Sequence, residues 1–81
     1  MKLQDILGSI EYLEVHADGD LQIGGITADS RRVQKDDLFV AISGFTSDGN
    51  RFIPMAMEKG AAVVVTARKP KLDVPYVLVD N

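Results

Sequence analysis

Residues 38–42 (LFVAI) and residues 61–65 (AAVVV) decide the fold that this sequence predicts. Each segment is a continuous run of five apolar residues, a pattern typical of a strand that is covered on both faces. Between them lies a loop rich in glycine and small polar residues, followed by apolar residues at helical spacing. This order of strand, helix and strand predicts a βαβ unit with two parallel strands, and hence an α/β domain.

The connecting helix is predicted to begin near Asn50 and to end at Gly60. Its apolar face is formed by Phe52, Ile53, Ala56 and Met57. Pro54 fits this helix because a proline in the first turn sacrifices few backbone hydrogen bonds. Gly60 follows the last apolar position and suits a C-cap, since glycine readily takes the left-handed conformation found there.

Three further elements complete the predicted domain. A short amphipathic helix is predicted at the start of the chain from the spacing of Leu3, Ile6, Leu7 and Ile10. Residues 21–26 are predicted as a strand with a bulge or close backbone approach at Gly24 and Gly25, and residues 75–79 as the last strand. Residues 16–19 are predicted as a polar turn. We therefore expect one small α/β domain with a mixed, largely parallel sheet of about four strands flanked by helices.

Length and composition limit the functions open to this chain. Its 81 residues suffice for one compact domain, and the apolar and charged fractions are those of ordinary globular proteins. The chain has no cysteine and one histidine, His16, which excludes disulfides, cysteine nucleophiles and zinc sites built from several thiolates or imidazoles. Neither a membrane span nor the apolar core of a signal peptide is present in the sequence, so we expect a cytoplasmic protein without a membrane partner.

Basic residues form two local clusters in a chain whose formal net charge is −3. The clusters consist of Arg31, Arg32 and Lys35, and of Arg68, Lys69 and Lys71. Solvated loops are the simplest interpretation, favoured by roughly two to one for the second cluster. The acidic balance argues against nucleic acid as a partner, and RNA or DNA binding is a remote third hypothesis.

The sequence contains no recognisable set of catalytic residues. The chain contains neither G-x-x-x-x-G-K-[ST] nor G-x-G-x-x-G, so the usual cradles for ATP and dinucleotides are unsupported. His16 stands alone in a predicted loop, which leaves no set of serine, histidine and carboxylate. Asp36 and Asp37 are interpreted as surface acids in an exposed turn, the default position for carboxylates. We therefore predict no catalytic residue, no metal site and no cofactor within this chain.

Two loops have the composition of a binding site. Residues 27–31 (TADSR) follow one predicted strand, and residues 44–50 (GFTSDGN) follow another and precede the helix. Ligands of open α/β sheets bind outside the carboxyl ends of the strands, and a helix N-terminus there attracts anions. Arg31 offers a charged fork suited to phosphate, and Phe45 is flat enough to lie against a base. Hydroxyl groups for hydrogen bonds to a ligand are present on Ser30, Thr46 and Ser47.

Each of these residues also has a purely structural interpretation. Asp29 and Ser30 can close a turn through their side chains. Asp48 can cap the helix, and Arg31 can form an internal salt bridge. From the residues alone, a nucleotide or anion site and a structural role are about equally supported.

At these loops the sequence resembles the N-terminal domain of the Mur ligases. Residues 23–33 (IGGITADSRRV) resemble the segment I-x-G-I-x-x-D-S-R-x-V of that family, and residues 37–44 (DLFVAISG) are similar to G-D-L-F-V-A-L-x-G. Residues 48–53 (DGNRFI) look like D-G-H-x-F-I, and residues 56–65 (AMEKGAAVVV) look like A-x-x-x-G-A-x-A-V-V. The resemblance covers nearly the whole chain, and four such segments in order are specific although each alone is weak.

The resemblance implies a function for the chain. Mur ligases are three-domain, ATP-dependent amide ligases of peptidoglycan precursor synthesis, and residues 1–81 would be the N-terminal domain that binds the UDP part of UDP-MurNAc-dipeptide. The MurE type, which adds the third amino acid of the stem peptide, is the nearest match. ATP, magnesium and the chemical step would belong to the central and C-terminal domains, which these residues do not include. The chain alone would be inactive, and its partners would be the substrate and those domains.

The family's binding residues carry over position by position. The resemblance implies that Ser30 contacts the UDP portion and that Ala28 makes a neighbouring contact. The loop that contacts uridine diphosphate in the family corresponds to Phe45, Thr46 and Ser47. Supporting positions would be Asp29, Arg31, Asp48 and Asn50.

Three positions depart from the family pattern. Phe45 and Asn50 stand where the family often has histidine, and Asp36 stands where it usually has glycine. The change at residue 45 removes a side-chain polar contact and leaves contacts through the backbone or by stacking.

Two alternatives accompany the MurE assignment. The first is the N-terminal domain of a MurF-type ligase, which is similar in this region. The second, from a different class, is a non-catalytic interaction module that has the same fold and lacks a nucleotide site.

Overall fold

The computed structural model describes residues 1–41 and 49–80. In chain order, these residues form α1 (Leu3–Leu7), β1 (Glu14–His16), β2 (Gly25–Thr27), the 3-10 helix η1 (Ser30–Arg32), β3 (Asp37–Ala41), the 3-10 helix η2 (Gly49–Phe52), α2 (Ile53–Glu58), β4 (Val63–Thr66) and β5 (Tyr76–Leu78). The predicted α/β class is confirmed.

The strands form a single sheet in the order β1-β5-β4-β3-β2. Neighbours from β2 to β5 are parallel, and β1 is antiparallel to β5. The sheet is therefore mixed and largely parallel, as predicted, with five strands where about four were expected. The additional strand is β1, which includes His16 although the sequence predicted a turn from that residue. Its three residues include one apolar side chain, Val15, so the segment has no strand pattern long enough to detect.

Side chains along the strands alternate between two hydrophobic cores, one on each face of the sheet. Leu38 belongs to the core that contains Leu3 of α1. The next residue, Phe39, belongs to the core that contains Ile53 and Ala56 of α2. Because each face is covered by a helix, both sets of side chains are buried, which explains the uninterrupted apolar runs in the sequence.

The βαβ unit predicted from residues 38–65 is present. β3 and β4 are adjacent and parallel, with Leu38 opposite Val63 and Ala41 opposite Thr66. The connecting helix begins with η2 and continues as α2, and Pro54 occupies its first turn. That position needs no backbone hydrogen bond from the proline nitrogen.

The end of α2 is closed by a Schellman motif centred on Gly60. The N–H of Ala61 donates to the carbonyl of Ala56 at 3.0 Å, and the N–H of Gly60 donates to the carbonyl of Met57 at 3.1 Å. Gly60 has a φ of 107°, a conformation that glycine adopts readily and other residues rarely do. The predicted C-cap at Gly60 is confirmed.

Two elements are shorter than the sequence pattern predicted. α1 ends at Leu7, so Ile10 lies beyond the helix and is 37% exposed instead of sharing its apolar face. The strand predicted at residues 21–26 is reduced to β2, preceded by an isolated bridge between Lys2 and Gln22.

Asp37 differs from its sequence-based interpretation as an exposed surface acid, which was wrong. It is 9% exposed and begins β3. One carboxylate oxygen accepts the N–H of Gln34 at 2.8 Å, and the other lies where a Cβ on Gly25 would approach within 3.0 Å. The absence of a side chain at Gly25 thus leaves room for the buried carboxylate beside β2.

Asp36 occupies a strained position in the turn before β3. Its φ is 69°, and the turn is closed by the N–H of Asp37, which donates to the carbonyl of Gln34 at 3.1 Å. Glycine, which the family pattern has at this position, adopts such a φ without steric strain. We therefore expect Asp36→Gly to raise the free energy of unfolding by roughly 0.5–1 kcal/mol in urea denaturation.

Lys35→Gly is the matched control for that substitution, since it adds a glycine to the same turn at a residue outside the left-handed region. It should lower the stability, because glycine there only increases the entropy of the unfolded chain. A decrease of similar size in both variants would contradict the strain assigned to Asp36.

Candidate functional site

The parallel strands direct their carboxyl ends to one edge of the sheet, and a concavity of about 470 Å³ opens beside the end of β2. Four of the residues that line it were predicted as site residues: Ala28, Asp29, Ser30 and Arg31. We call this concavity the 28–31 pocket. Its position agrees with the general rule that ligands of open α/β sheets bind outside the carboxyl ends of the strands.

Side-chain hydrogen bonds to the backbone shape the loop on which this pocket is built. The N–H of Asp29 donates to Oγ1 of Thr27 at 3.1 Å, in a turn that follows β2 directly. Oδ1 of Asp29 accepts the N–H of Arg31 at 2.9 Å and so caps η1. The turn-closing role considered for Asp29 is thereby confirmed.

Arg31 forms the internal salt bridge that was its structural alternative. Its Nε lies 3.2 Å from Oδ1 of Asp29 and its Nη2 lies 3.2 Å from Oδ2, a two-pronged pair. Arg32 adds a longer contact of 3.7 Å from its Nε to Asp29 Oδ2. The side-chain hydrogen bond from Arg31 lowers the pKa of Asp29, with a smaller contribution from the backbone N–H, and the pKa of Arg31 is raised by the same pair. An incoming anion would therefore compete with Asp29 for this guanidinium.

Titration of Asp29 tests this pair. Because the pKa of the folded carboxyl group is lowered, the pair stabilises the turn at higher pH, and that contribution is lost as the pH falls below about 4 and through the folded pKa. We expect the carboxyl carbon of Asp29 to titrate at lower pH than an ordinary aspartate in an NMR pH series. Arg31→Gln should move the midpoint upward, whereas Lys35→Gln, with the same change of charge, should leave it nearly unchanged. Equal shifts in both variants would attribute the effect to net charge instead.

Ser30 is the polar group of the pocket that remains available. The residue is 8% exposed and lines the cavity. Within residues 1–41 and 49–80, its hydroxyl group makes no hydrogen bond. A hydroxyl group on the wall of an open pocket, without a partner among the described residues, can donate a hydrogen bond to a ligand or accept one from it.

The sequence did not predict the apolar wall of the 28–31 pocket. Phe39, Phe52 and Met55 line it opposite the loop. Phe39 and Phe52 were assigned to the strand and helix cores, and Met55 did not fall on the predicted helix face. Their position in the sequence could have indicated this role for Phe52 and Met55. Both lie in the first turns after the second loop, and those turns meet the sheet at the edge where β2 and β3 end.

The remaining predicted site residues fall largely outside the described part of the chain. Phe45, Thr46, Ser47 and Asp48 lie outside residues 1–41 and 49–80. Asn50 belongs to η2 through its backbone, and its side chain is likewise outside the description.

The arrangement suits recognition of a flat polar group. Phe52 and Met55 provide apolar surface, and the Ser30 hydroxyl can donate or accept a hydrogen bond. His16 is on β1, at the opposite edge of the sheet from β2, where it stacks on Tyr76 with ring centroids 4.5 Å apart. Consequently Ser30 and His16 are not neighbours, and the described residues do not bring a nucleophile and an imidazole base together.

Neither a metal-binding cluster nor a membrane-spanning helix occurs in residues 1–41 and 49–80. In residues 1–41 and 49–80, no three His, Cys, Asp or Glu side chains are grouped so that they could hold a metal ion. The helices in that part of the chain are all too short to traverse a lipid bilayer.

Comparison with known proteins relates the chain to one family. Residues 22–80 match the family model described as "Mur ligase family, catalytic domain". The chain is 44% identical over 71 residues to UDP-N-acetylmuramoyl-L-alanyl-D-glutamate--2,6-diaminopimelate ligase 1 of Clostridium acetobutylicum. The aligned region covers 88% of this chain and 15% of that protein. It is 41% identical over 81 residues to the diaminopimelate ligase of Geobacillus kaustophilus, covering 100% of this chain and 17% of that protein.

A solved structure supports the same relationship. MurF ligase from Thermotoga maritima, in complex with ADP, aligns with a TM-score of 0.65 and 32% identity over 76% of this chain and 14% of that protein. The chain spans 15% and 17% of the two curated relatives' lengths. It therefore corresponds to a small part of each of these enzymes.

Proposed function

We propose, since this chain belongs to the Mur ligase family, that residues 1–81 form the N-terminal docking domain of a MurE-type amide ligase and bind the UDP part of UDP-MurNAc-dipeptide. Two relatives that are more than 40% identical carry the name of a diaminopimelate ligase, which favours the MurE type. The likeness to a MurF structure at 32% identity keeps the MurF type as the second candidate.

The observation that carries this proposal is the environment of Ser30. This residue is 8% exposed and lines an open pocket at the carboxyl end of a parallel strand, and its hydroxyl group makes no hydrogen bond within the described residues. A ligand in the pocket can therefore form a hydrogen bond with that hydroxyl group. In this family role the partner of Ser30 is the UDP portion of the substrate.

Each pocket residue has a distinct part in the proposed complex. Ser30 provides a hydroxyl group and Ala28 provides its backbone groups, while the ring of Phe52 provides apolar surface for the base. Asp29 holds Arg31 and the start of η1 in place, so it shapes the loop without needing to touch the ligand. Phe45, Thr46 and Ser47 remain proposed contacts to the uridine diphosphate, with Asp48 and Asn50 in support.

Docking of this kind contributes to catalysis through position. Binding energy gained at the UDP end of a long substrate holds the distant peptide carboxylate where the reaction takes place. The described residues contain no phosphate cradle of the P-loop type, so ATP and magnesium are assigned to the remainder of the parent enzyme. A cytoplasmic location belongs to the same proposal, because the ligation that it serves consumes ATP.

Titration of the isotope-labelled 81-residue chain with UDP and with UDP-MurNAc tests the docking role. We expect saturable amide shifts at residues 28–31 and at Phe52 and Met55. Ser30→Ala should weaken UDP binding by about three- to tenfold, the loss of one hydrogen bond. Ser9→Ala, a change of the same type at an exposed residue after α1, should leave the affinity unchanged.

Two results would contradict the docking role. Equal affinity of the Ser30→Ala and unsubstituted chains would remove Ser30 from the site. Absence of saturable shifts at residues 28–31 with millimolar UDP-MurNAc would favour the non-catalytic interaction module of the same fold.

A further inference from the structure

A second concavity, of about 420 Å³, opens after the carboxyl end of β4. Four basic side chains line it: Arg51, Arg68, Lys69 and Lys71. Among the described residues, none of those that line it is acidic, although the chain as a whole has a net charge of −3. We call it the basic pocket. It concentrates positive charge locally in a molecule whose net charge is negative.

The basic pocket has a defined shape because its main segment is anchored at both ends. The hydroxyl group of Thr66 donates to the carbonyl of Arg68 at 2.8 Å and accepts the N–H of Arg68 at 3.2 Å. Farther along, Pro70 is buried, and the N–H of Val74 donates to the carbonyl of Leu72 at 3.0 Å. These contacts fix the two ends of the connection between β4 and β5, and the residues of α2 that line the basic pocket face it across the concavity.

The lysines of the basic pocket differ from the arginines of the first basic cluster in their partners. Arg31 and Arg32 share the carboxylate of Asp29, as described above. Lys69 and Lys71, in contrast, form no ion pair with any residue in 1–41 or 49–80. An incoming anion therefore has no carboxylate among the described residues to displace from either ammonium group.

Arg51 adds a third cation whose direction is set by η2. Its guanidinium group lies 5.3 Å from the centre of the Phe52 ring, a cation–π contact, and forms no ion pair with a residue in 1–41 or 49–80. An apolar floor beneath the charges is formed by Ile53, Pro54, Pro70 and Leu72. None of these residues carries a negative charge that would repel an anion.

We propose that the basic pocket is a binding site for a diphosphate group. A diphosphate carries several negative charges over a short length, which matches cations that approach from both walls of one concavity. η2 also places the two pockets side by side, because consecutive residues line different cavities: Phe52 lines the 28–31 pocket and Arg51 the basic pocket. A nucleoside diphosphate can therefore reach both, and a free polyphosphate can occupy the basic pocket alone.

Titration of the 81-residue chain with inorganic pyrophosphate at about 0.15 M salt tests this site. We expect saturable one-to-one shifts at Arg51 and at residues 68–72. The double variant K69Q/K71Q should weaken pyrophosphate binding by at least about tenfold, because two charge-assisted contacts are lost. The control K2Q/K35Q has the same net charge and alters two lysines that do not line the basic pocket, so it should retain the affinity within about twofold.

Two outcomes would overturn the proposal. Equal weakening in both double variants would show that pyrophosphate responds to net charge alone. Shifts that rise linearly without saturation would show only diffuse attraction. At about 0.15 M salt, exposed charges more than about 8 Å apart are already largely screened.

A second titration distinguishes the two sources of diphosphate. If UDP shifts both pockets with one dissociation constant and displaces pyrophosphate, the basic pocket binds the diphosphate of the same ligand. If pyrophosphate still binds when UDP saturates the 28–31 pocket, the site belongs to a separate anion. Uridine, which lacks phosphate, separates the two proposals. Its failure to shift residues 28–31 would count against the docking role, whereas pyrophosphate binding would still establish the basic pocket.

Discussion

Gly60→Ala is expected to destabilise the domain by about 2–4 kcal/mol. Two effects act together at this residue. A φ of 107° is a conformation that L side chains rarely adopt, and a Cβ there would lie 3.0 Å from the Cα of Lys35, a backbone atom that cannot rotate away. A hydrogen bond also joins the two segments at this point: the N–H of Asp36 donates to the carbonyl of Gly60 at 2.8 Å. The added methyl group therefore strains the end of α2 and separates it from the turn before β3.

Urea unfolding followed by circular dichroism measures this loss. A domain of this size has about 3–5 kcal/mol of stability in total, so Gly60→Ala should be largely unfolded in water at 37 °C. Gly60→Asn provides a variant that still folds, because asparagine tolerates the left-handed region better than alanine does. Its unfolding midpoint should fall between those of the unsubstituted and Gly60→Ala chains.

Gly8→Ala is the matched control, an identical chemical change at the end of α1. Gly8 has a φ of −66°, and a Cβ there would meet ordinary contact distances, 3.6 Å to the carbonyl oxygen of Asp5. This substitution should stabilise the domain by about 0.4–1 kcal/mol, since it restricts the unfolded chain and strains nothing. Destabilisation of equal size at both glycines would contradict the role given to Gly60.

Leu38→Ala is expected to produce the second large effect, a loss of about 2–4 kcal/mol. Leu38 is 2% exposed and packs in the core on the α1 side of the sheet, with Leu3 and Val63. Truncation removes buried apolar surface and leaves a cavity that close-packed neighbours fill only in part. Thermal unfolding, with loss of dispersion in the amide spectrum as a second observable, would report the change.

Ile26→Ala provides the comparison for Leu38, because the two residues are paired in register on adjacent strands. Ile26 is 54% exposed, so its truncation should lower the stability by less than about 1 kcal/mol. A loss at Ile26 that equals or exceeds the loss at Leu38 would contradict the exposure of Ile26 on the edge strand β2.

The parts of the fold that could be predicted are those where burial leaves a strong pattern. β3 and β4 are covered on both faces, so all positions but one in each strand are apolar and the strands are visible in the sequence. The same holds for Gly60, because a helix that must end in the left-handed region selects glycine. In both cases a local physical requirement restricts the residue type directly.

Other features depend on contacts between distant parts of the chain. β1 has one apolar residue, Val15, and becomes a strand because β5 offers it an edge. Asp37 is buried because Gly25, on the neighbouring strand, leaves space for its carboxylate. A reading of the sequence alone treats each such residue by its average behaviour, and both averages were misleading here.

The candidate site was predicted in part for the same reasons. The pocket residues of the loop after β2, including Ala28 and Ser30, follow a recognisable strand and match a family segment. Phe52 and Met55 join them only when α2 packs across the sheet, which the sequence does not specify. The sequence left two alternatives for Arg31, an internal salt bridge and a contact with a ligand. The salt bridge to Asp29 depends on the cap of η1, whose geometry the sequence does not give.

The shortness of the two outer strands has a consequence for how copies of this chain meet one another. β1 and β2 form the borders of the sheet, and each is three residues long. An exposed edge strand can pair with a strand of another molecule and start aggregation. Short edge strands and charged side chains oppose such pairing. Glu14 and His16, both exposed, add such side chains on β1. We therefore expect the chain to remain monomeric at the concentrations that spectroscopy requires, without pairing through its sheet.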